Sequence, residues 1–424
     1  MALGTIVIAW AGSHAGWVLI GVDAALALVA VLDALRAPSP AAVGVAREMP
    51  ATLVLGASGD IAWRVTNPRS RAASIGVADD LAPSLRAGTR RVTGRVPGRA
   101  TVTMRTTIEP SRRGRFEPRE LVVRTSGPLG LATRQKRRQL PGQLRVLPPF
   151  GSRKEAELRI ERARILEVGL RSAQGRGGGT EFENLREYSV DDEFRRIDWS
   201  ATARTGKAIV RTYRAERNQT VLVLLDAGRV MAGRVEGVPR LEHAIDATLM
   251  LTAVATRLGD RAGLVAFDRQ VRAIVPPGHT KAQIGRVTDA LFDLEPQLFE
   301  SDYRGAFAET LTRWRRRALL IVLTELMQEA VPETLLPALP LLAGRHLVVV
   351  ASVTDPEVVR WAEAVPTEAS TSYRKAAAIA GLERRAQTAW MLRSVGATVV
   401  DASPGTLAGR LADTYLRVKA TGRL

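Results

Sequence analysis

VLVLLD at residues 221–226 is a run of five apolar residues closed by an aspartate. A run that short and that continuously apolar marks a strand covered on both faces. The pattern recurs in GLVAFD at 263–268, ALLIVLTE at 318–325, HLVVVAS at 346–352 and ATVVDA at 397–402. Between these runs, apolar residues at helical spacing predict helices near 241–257, 281–294 and 303–317, and VRAIV at 271–275 reads as the hairpin partner of GLVAFD. Strands alternating with amphipathic helices give a mostly parallel sheet with helices on both faces, here over 220–424. Ligands of such sheets gather beyond the carboxyl ends of the strands, so the residues that end them are the first candidates. Those are Asp226 and Glu325, joined by Asp302 in a later loop.

Upstream the pattern changes. Residues 41–150 hold short alternating stretches (ATLVLGA, DIAWRVTN, RATVTMRTTIEP, ELVVRTS) separated by Gly, Pro, Asn and Ser, the pattern of an antiparallel β-sandwich. Ahead of them, GWVLIGVDAALALVAVLDAL at 16–35 is interrupted only by Asp23 and Asp33; twenty such residues predict a transmembrane helix, alone or in a short hairpin with Ala2 to Ala11, within residues 1–40. Arg36 follows the apolar run and no Lys or Arg precedes it, so the positive-inside rule places the soluble domains on the cytoplasmic face of the inner membrane. The expected fold class is therefore multidomain: N-terminal membrane segment, β-sandwich, and C-terminal α/β domain of Rossmann type, with 151–219 as a linking helix, a Gly-rich loop and a charged segment.

Composition removes several function classes. The 424 residues include no cysteine and four histidines, His14, His243, His279 and His346, so a disulfide scaffold, a Cys-based zinc site, an iron–sulfur cluster and a thiol nucleophile are excluded. The formal charge of +18 is concentrated: residues 41–150 hold 20 Lys or Arg against 7 Asp or Glu. No nucleic-acid reading motif accompanies that charge, so no specific nucleic acid is expected, while anionic lipid suits it. The densest clusters, Arg112, Arg113 and Arg115, then Arg134, Lys136, Arg137 and Arg138, read as solvated loops. Gly175 to Gly179 lacks both the last glycine of G-x-G-x-x-G and a following Lys-Ser/Thr, so it is no nucleotide loop.

The segment TEFENLREYSVDDEFRRIDWSATARTGKAIVRTYRAERN, residues 180–218, packs acids and arginines around aromatic residues. Glu187, Asp191, Asp192 and Asp198 suit either a metal-dependent hydrolase or nuclease, or a salt-bridged network with Arg186, Arg195, Arg196 and Arg204; the near cancellation of charge favours the network. The segment resembles the signature of the bacterial domain-of-unknown-function family 58 at Gly179 to Phe182, Leu185 to Tyr188, Asp191 to Trp199 and Ala201 to Arg204. Val190 departs from the family's glycine. RRGRFEP at 112–118 and SGPLGL at 126–131 also match, with Gly127 in place of an aspartate.

That resemblance implies a von Willebrand factor A-like domain over 220–424, with a metal-ion-dependent adhesion site built on D-x-S-x-S, a Thr and a further Asp. Here the loop reads Asp226-Ala227-Gly228-Arg229-Val230-Met231, so both serines are missing, Ser301-Asp302 approximates the Thr, and Glu325 replaces the last Asp. What it implies is a degenerate site in which Asp226, Asp302 and Glu325 hold Mg²⁺ with waters, or in which Arg229 neutralises them without a metal. The implied interface residues are Glu181, Arg186, Glu187, Tyr188, Asp191, Asp192, Arg195, Asp198, Trp199 and Arg204. The implied function is a non-enzymatic scaffold or adaptor without catalytic residues, working with a MoxR-type AAA+ ATPase and other A-domain proteins in chaperone-like complex assembly.

Overall fold

The computed structural model describes residues 15–173, 181–189, 194, 197–214, 218–326 and 331–421. The chain divides into two compact units, 1–147 and 148–424.

The first unit opens with helix α1 (Ala15–Arg36) and continues into ten strands: β1 (Gly44–Glu48), β2 (Thr52–Val54), β3 (Gly59–Thr66), β4 (Ala73–Asp79), β5 (Arg91–Val96), β6 (Thr101–Ile108), β7 (Gly114–Phe116), β8 (Glu120–Ser126), β9 (Thr133–Gln139) and β10 (Leu144–Leu147). They form sheets of order β1-β3-β6, β2-β10-β7 and β5-β4-β8-β9, all antiparallel except the β10–β2 pair. Alternation does the sorting. In β3, Ile61, Trp63 and Val65 are fully buried while Arg64 points to water, and Arg105 and Arg124 lie exposed in the same way. At the centre the buried Arg47 and Asp79 lie 2.5 Å apart, Trp63 Nε1 donates to the same carboxylate at 2.6 Å, and Arg47 also donates to the carbonyls of Pro118 and Leu140. One ion pair thus ties β1, β3 and β4 to the flanking loops. Arg134, Lys136 and Arg137, expected in a loop, lie exposed on the edge strand β9.

The expectation of a membrane-spanning segment is corrected. Among the described residues no helix is long and apolar enough to cross a membrane. The physical reason lies at Asp33, which is buried and accepts the backbone N–H groups of Leu129, Leu131 and Ala132 at 2.7, 2.9 and 3.1 Å. Burial raises its pKa, but those donors and Arg36 outweigh it and hold the carboxyl below its ordinary range. The last turn of α1 therefore belongs to the β8–β9 loop. Gly16 to Leu32 is left, about 25 Å of helix containing Asp23, short of a hydrocarbon core of ~30 Å. Residues 2–11, the other arm of the expected hairpin, lie outside the described residues, as does the Gly175–Gly179 run.

The second unit begins with α2 (Arg153–Ala173), then β11 (Glu181–Glu187), α3 (Trp199–Thr205) and β12 (Ile209–Arg214). The remainder is β13 (Thr220–Asp226), α4 (Arg229–Ala232), the small hairpin β14 (Arg234–Val235) and β15 (Val238–Pro239), α5 (Arg240–Arg257), β16 (Arg261–Phe267), β17 (Val271–Gly278), α6 (Gln283–Leu291) and α7 (Tyr303–Arg313). It continues with β18 (Leu319–Leu323), α8 (Leu336–Ala343), β19 (Leu347–Val353), α9 (Pro356–Glu363), α10 (Ala369–Ser394), β20 (Thr398–Ala402) and α11 (Pro404–Ala420). The sheet order is β17-β16-β13-β18-β19-β20, with every neighbour parallel except the antiparallel edge strand β17.

Strand β13 shows why. Its apolar residues feed two cores in alternation: Val221, Val223 and Leu225 pack with Leu241, Ile245, Leu249, Leu411 and Tyr415 on one face, and Leu222 and Leu224 with Tyr303, Phe307, Leu335 and Leu339 on the other. A strand without a wet face can only be central. The strand order reverses between β13, which turns toward β16, and β18, and the crevice outside their carboxyl ends is where such sheets receive ligands.

Candidate functional site

At that crevice the three expected metal ligands go three separate ways. Asp226 ends β13 fully buried. Its Oδ1 accepts Gly228 N–H at 2.8 Å and Ser301 Oγ at 2.5 Å; its Oδ2 accepts the Tyr303 hydroxyl and Thr324 Oγ1, both at 2.6 Å. Burial, and then the adjacent Asp226 charge, push the Tyr303 hydroxyl well above its ordinary pKa, so it stays a donor. Asp302 instead turns into the N-terminus of α7 and accepts Gly305 N–H at 2.9 Å. Glu325, buried beyond the end of β18, faces Arg240 Nε at 2.9 Å, accepts Ser352 Oγ at 3.2 Å and pairs with Arg385. Arg229, the sequence's candidate counter-ion, pairs with Glu300 on the surface.

This arrangement does not fit Mg²⁺ as it stands. An octahedral hard cation needs free oxygen ligands at about 2.1 Å, whereas both Asp226 oxygens already take hydroxyl and amide donors, and the Tyr303 and Thr324 hydroxyls that share Oδ2 lie 2.8 Å apart. Among the described residues no group of three or more His, Cys, Asp or Glu is placed to hold a metal ion. Gly228, standing where the resemblance has a serine, shows how the loop closed. A Cβ there would lie 2.1 Å from Ser301 Oγ and 2.9 Å from the Phe299 carbonyl. The absent serine's space is taken by Ser301, whose loop is stitched to 226–229 by Arg229 N–H to the Phe299 carbonyl at 2.8 Å.

Beside this lock lies a second, ionic one. Arg385 of α10 donates to Asp401 of β20 through Nε at 2.6 Å and Nη2 at 2.7 Å, and to Ser352 at 2.7 Å. Burial alone would lower its pKa; the bonds to Asp401 and the charge of Glu325 reverse that and raise it further. A cavity of about 240 Å³ opens here, lined by Arg240, Glu325, Thr354, Asp355, Arg384 and Arg385. Sequence reasoning named Ser301 only as a stand-in for the Thr, and it missed Arg240, Arg385 and Tyr303, which come from helices whose contact is purely tertiary. Asp401 was open to discovery by the strand-end rule.

The charged segment forms a small module of its own. β11 pairs antiparallel with β12, Glu181 opposite Arg214 and Glu187 opposite Ile209. Asp198 caps α3 by accepting Ser200 and Ala201 N–H at 3.0 and 3.1 Å, and its own N–H binds the Ile209 carbonyl. Glu187 pairs with Lys207 at 2.5 Å, Arg186 donates to the Glu187 carbonyl and Arg204 to the Ser200 carbonyl, and Tyr188 N–H reaches the Ala208 carbonyl. Asp191, Asp192 and Arg195 lie outside the described residues. The module presents two aromatic rings to water: Phe194 and Trp199 are 66% and 62% exposed and meet edge to face with centroids 5.7 Å apart.

Residues 184–365, which take in most of the module and Asp226, Asp302 and Glu325 but stop short of Arg385 and Asp401, match the family described as "Protein of unknown function DUF58". The match names no activity. Uncharacterized proteins of Mycobacterium tuberculosis and Mycobacterium bovis are 25% identical over 185 residues, 43% of this chain and 57% of theirs, so the chain spans little more than half the length of these curated relatives. Among solved structures, SSP-19, an MSP-domain-like protein of Caenorhabditis elegans, aligns with 22% of this chain and 92% of its own at 13% identity, with a TM-score of 0.18. A likeness that slight supports no argument.

Proposed function

We propose that this protein is a non-enzymatic adaptor that docks other proteins through its DUF58 region, which we read as a von Willebrand A-like domain whose metal site has been replaced by hydrogen bonds. The observation that carries this reading is the Phe194–Trp199 pair. Two large rings left in water meet edge to face, Trp199 opening the Asp198-capped helix, and large aromatic side chains are what interface centres are enriched in. Two of the four carboxylates that a hydrolase would use support it too, since Asp198 caps α3 and Glu187 pairs with Lys207.

The resemblance supplies the partners, a MoxR-type AAA+ ATPase and other A-domain proteins. The location we propose is the cytoplasmic face of the inner membrane, held by contact. Trp17, Ile20, Leu26, Leu28 and Leu35 of α1 are exposed, and the loop that holds Asp33 leads into the cationic strand β9, a combination that suits an anionic lipid surface. The test is biolayer interferometry against a purified MoxR-type ATPase. F194A/W199A is expected to weaken binding by about 30-fold, the effect of losing a ~2 kcal/mol hot spot, with an unchanged melting temperature. Equal affinity of variant and parent, or no binding by either, overturns the reading.

A further inference from the structure

The sheets of the first unit end in a strand whose backbone neither the docking surface nor the lipid contact uses. Two of them hold four and three strands, β5-β4-β8-β9 and β1-β3-β6. At one end they close on each other: a Cβ on Gly94 of β5 would lie 2.8 Å from Met104 Cε of β6. At the other end β9 carries on alone. Its Arg134, Lys136 and Arg138 stand opposite Thr125, Val123 and Leu121, the residues that β8 buries, yet from Thr133 to Gln139 every side chain is exposed except the half-buried Arg138. β9 pairs with β8 alone, and among the described residues no backbone group of Thr133–Gln139 bonds to the backbone of any other segment. In an antiparallel pair about half of a strand's N–H and C=O groups face away from its neighbour, so β9 offers an open ladder seven residues long. Arg137 pairs with Glu120 at 3.3 Å and Arg138 donates to the Val43 carbonyl, while among the described residues Arg134 and Lys136 meet no carboxylate.

A row of unpaired N–H and C=O groups is a template for another strand, and the charges decide which one. A lipid surface meets side chains and asks nothing of a ladder. A second copy is refused: antiparallel pairing about Lys136 sets Arg134 against Arg138 of the other chain and Lys136 against itself, and like charges directly opposite one another destabilise a sheet. An acidic strand turns each of those repulsions into an attraction. We propose that β9 receives an extended segment of another protein as a fifth strand of its sheet, one that carries Asp or Glu at every second position. Alternate residues of a strand share a face and lie about 6.8 Å apart, so three acids at that spacing meet Arg134, Lys136 and Arg138, while the residues between them lie beside Gln135 and Arg137 on the other face.

The test uses the full chain, fluorescence anisotropy and three labelled heptapeptides: one alternating glutamate with valine, the same peptide with every amide N-methylated, and one alternating lysine with valine. The glutamate peptide is expected to bind and to slow amide exchange in β9. Its N-methylated form keeps the charge, loses every backbone donor and is expected not to bind. R134E/K136E changes two exposed side chains; it is expected to weaken the glutamate peptide about tenfold or more, because two favourable cross-strand pairs become unfavourable ones, and to take up the lysine peptide instead. R91E/R105E, two exposed cations elsewhere in the same unit, and F194A/W199A are both expected to leave binding unchanged. Equal binding of the N-methylated peptide would reduce the strand to a cluster of charges. Retention on phosphatidylserine vesicles that R134E/K136E abolishes, with no peptide bound, would give β9 to lipid alone. Either result, slowed exchange elsewhere but not in β9, or no binding at all overturns the proposal.

Discussion

Asp226 is held by four donors at once, and an amide cannot replace it: asparagine offers one acceptor oxygen and turns an NH₂ toward groups that are themselves donors. D226N is therefore expected to destabilise the second unit by about 3 kcal/mol, read from urea unfolding, because buried donors to a charged acceptor are left unpaired. His346 gives a test by pH. Burial, with Arg345 adding to it, lowers its pKa below the ordinary imidazole value, so the unfolded chain takes up the proton first. Stability is expected to fall as pH drops from about 6.5 through the lower folded value, and H346Q is expected to flatten that part of the profile in thermal melts. At this scale Asp226 and Glu325 were legible because they end apolar runs. Their partners were not: Tyr303 lies 77 residues from Asp226 and Arg385 lies 60 residues from Glu325, and no local pattern announces such pairings.

Among the elements, the strands of the parallel sheet could be read as short apolar runs because burial on both faces leaves no other composition. Helix ends were harder. α7, expected to run to 317, stops at Arg313, where Trp314 takes an extended conformation. β9 was expected to be a loop because its side chains are almost all polar; as an edge strand exposed along most of its length it carries no alternation to detect. α1 was legible as an apolar helix, but its fate turned on a hydrogen-bonding loop nearly a hundred residues on. D33A is expected to free that loop, so amide exchange at Leu129, Leu131 and Ala132 should accelerate while exchange in β4 stays slow; unchanged exchange at all three would show that the carboxylate does not hold it.

For the molecule as a whole, the division at residue 147 follows from two cores with different chemistry. The first unit closes its own apolar core around a buried ion pair, and the second packs apolar cores on both faces of its sheet. Removing one partner of a buried pair leaves the other charge without compensation, at a cost of about 3–5 kcal/mol. D79A is expected to lower one calorimetric transition by that amount and leave a second in place; a single transition moving as one would show that the units melt together. Composition foretold the contrast, since 41–150 is basic and alternating while 220–424 is built of apolar runs. What it could not convey is that the acids at the tips of the sheet are already engaged.

That engagement has a consequence for whatever enters the neighbouring cavity. One guanidinium, that of Arg385, serves Glu325 and Asp401 together. A visitor that draws Arg385 away takes from Asp401 its guanidinium and leaves Glu325 with Arg240 alone, and a lone carboxylate returns only one attraction for the two it breaks. A singly charged anion therefore gains nothing by drawing Arg385 from the acids it serves, and the corner stays closed on itself.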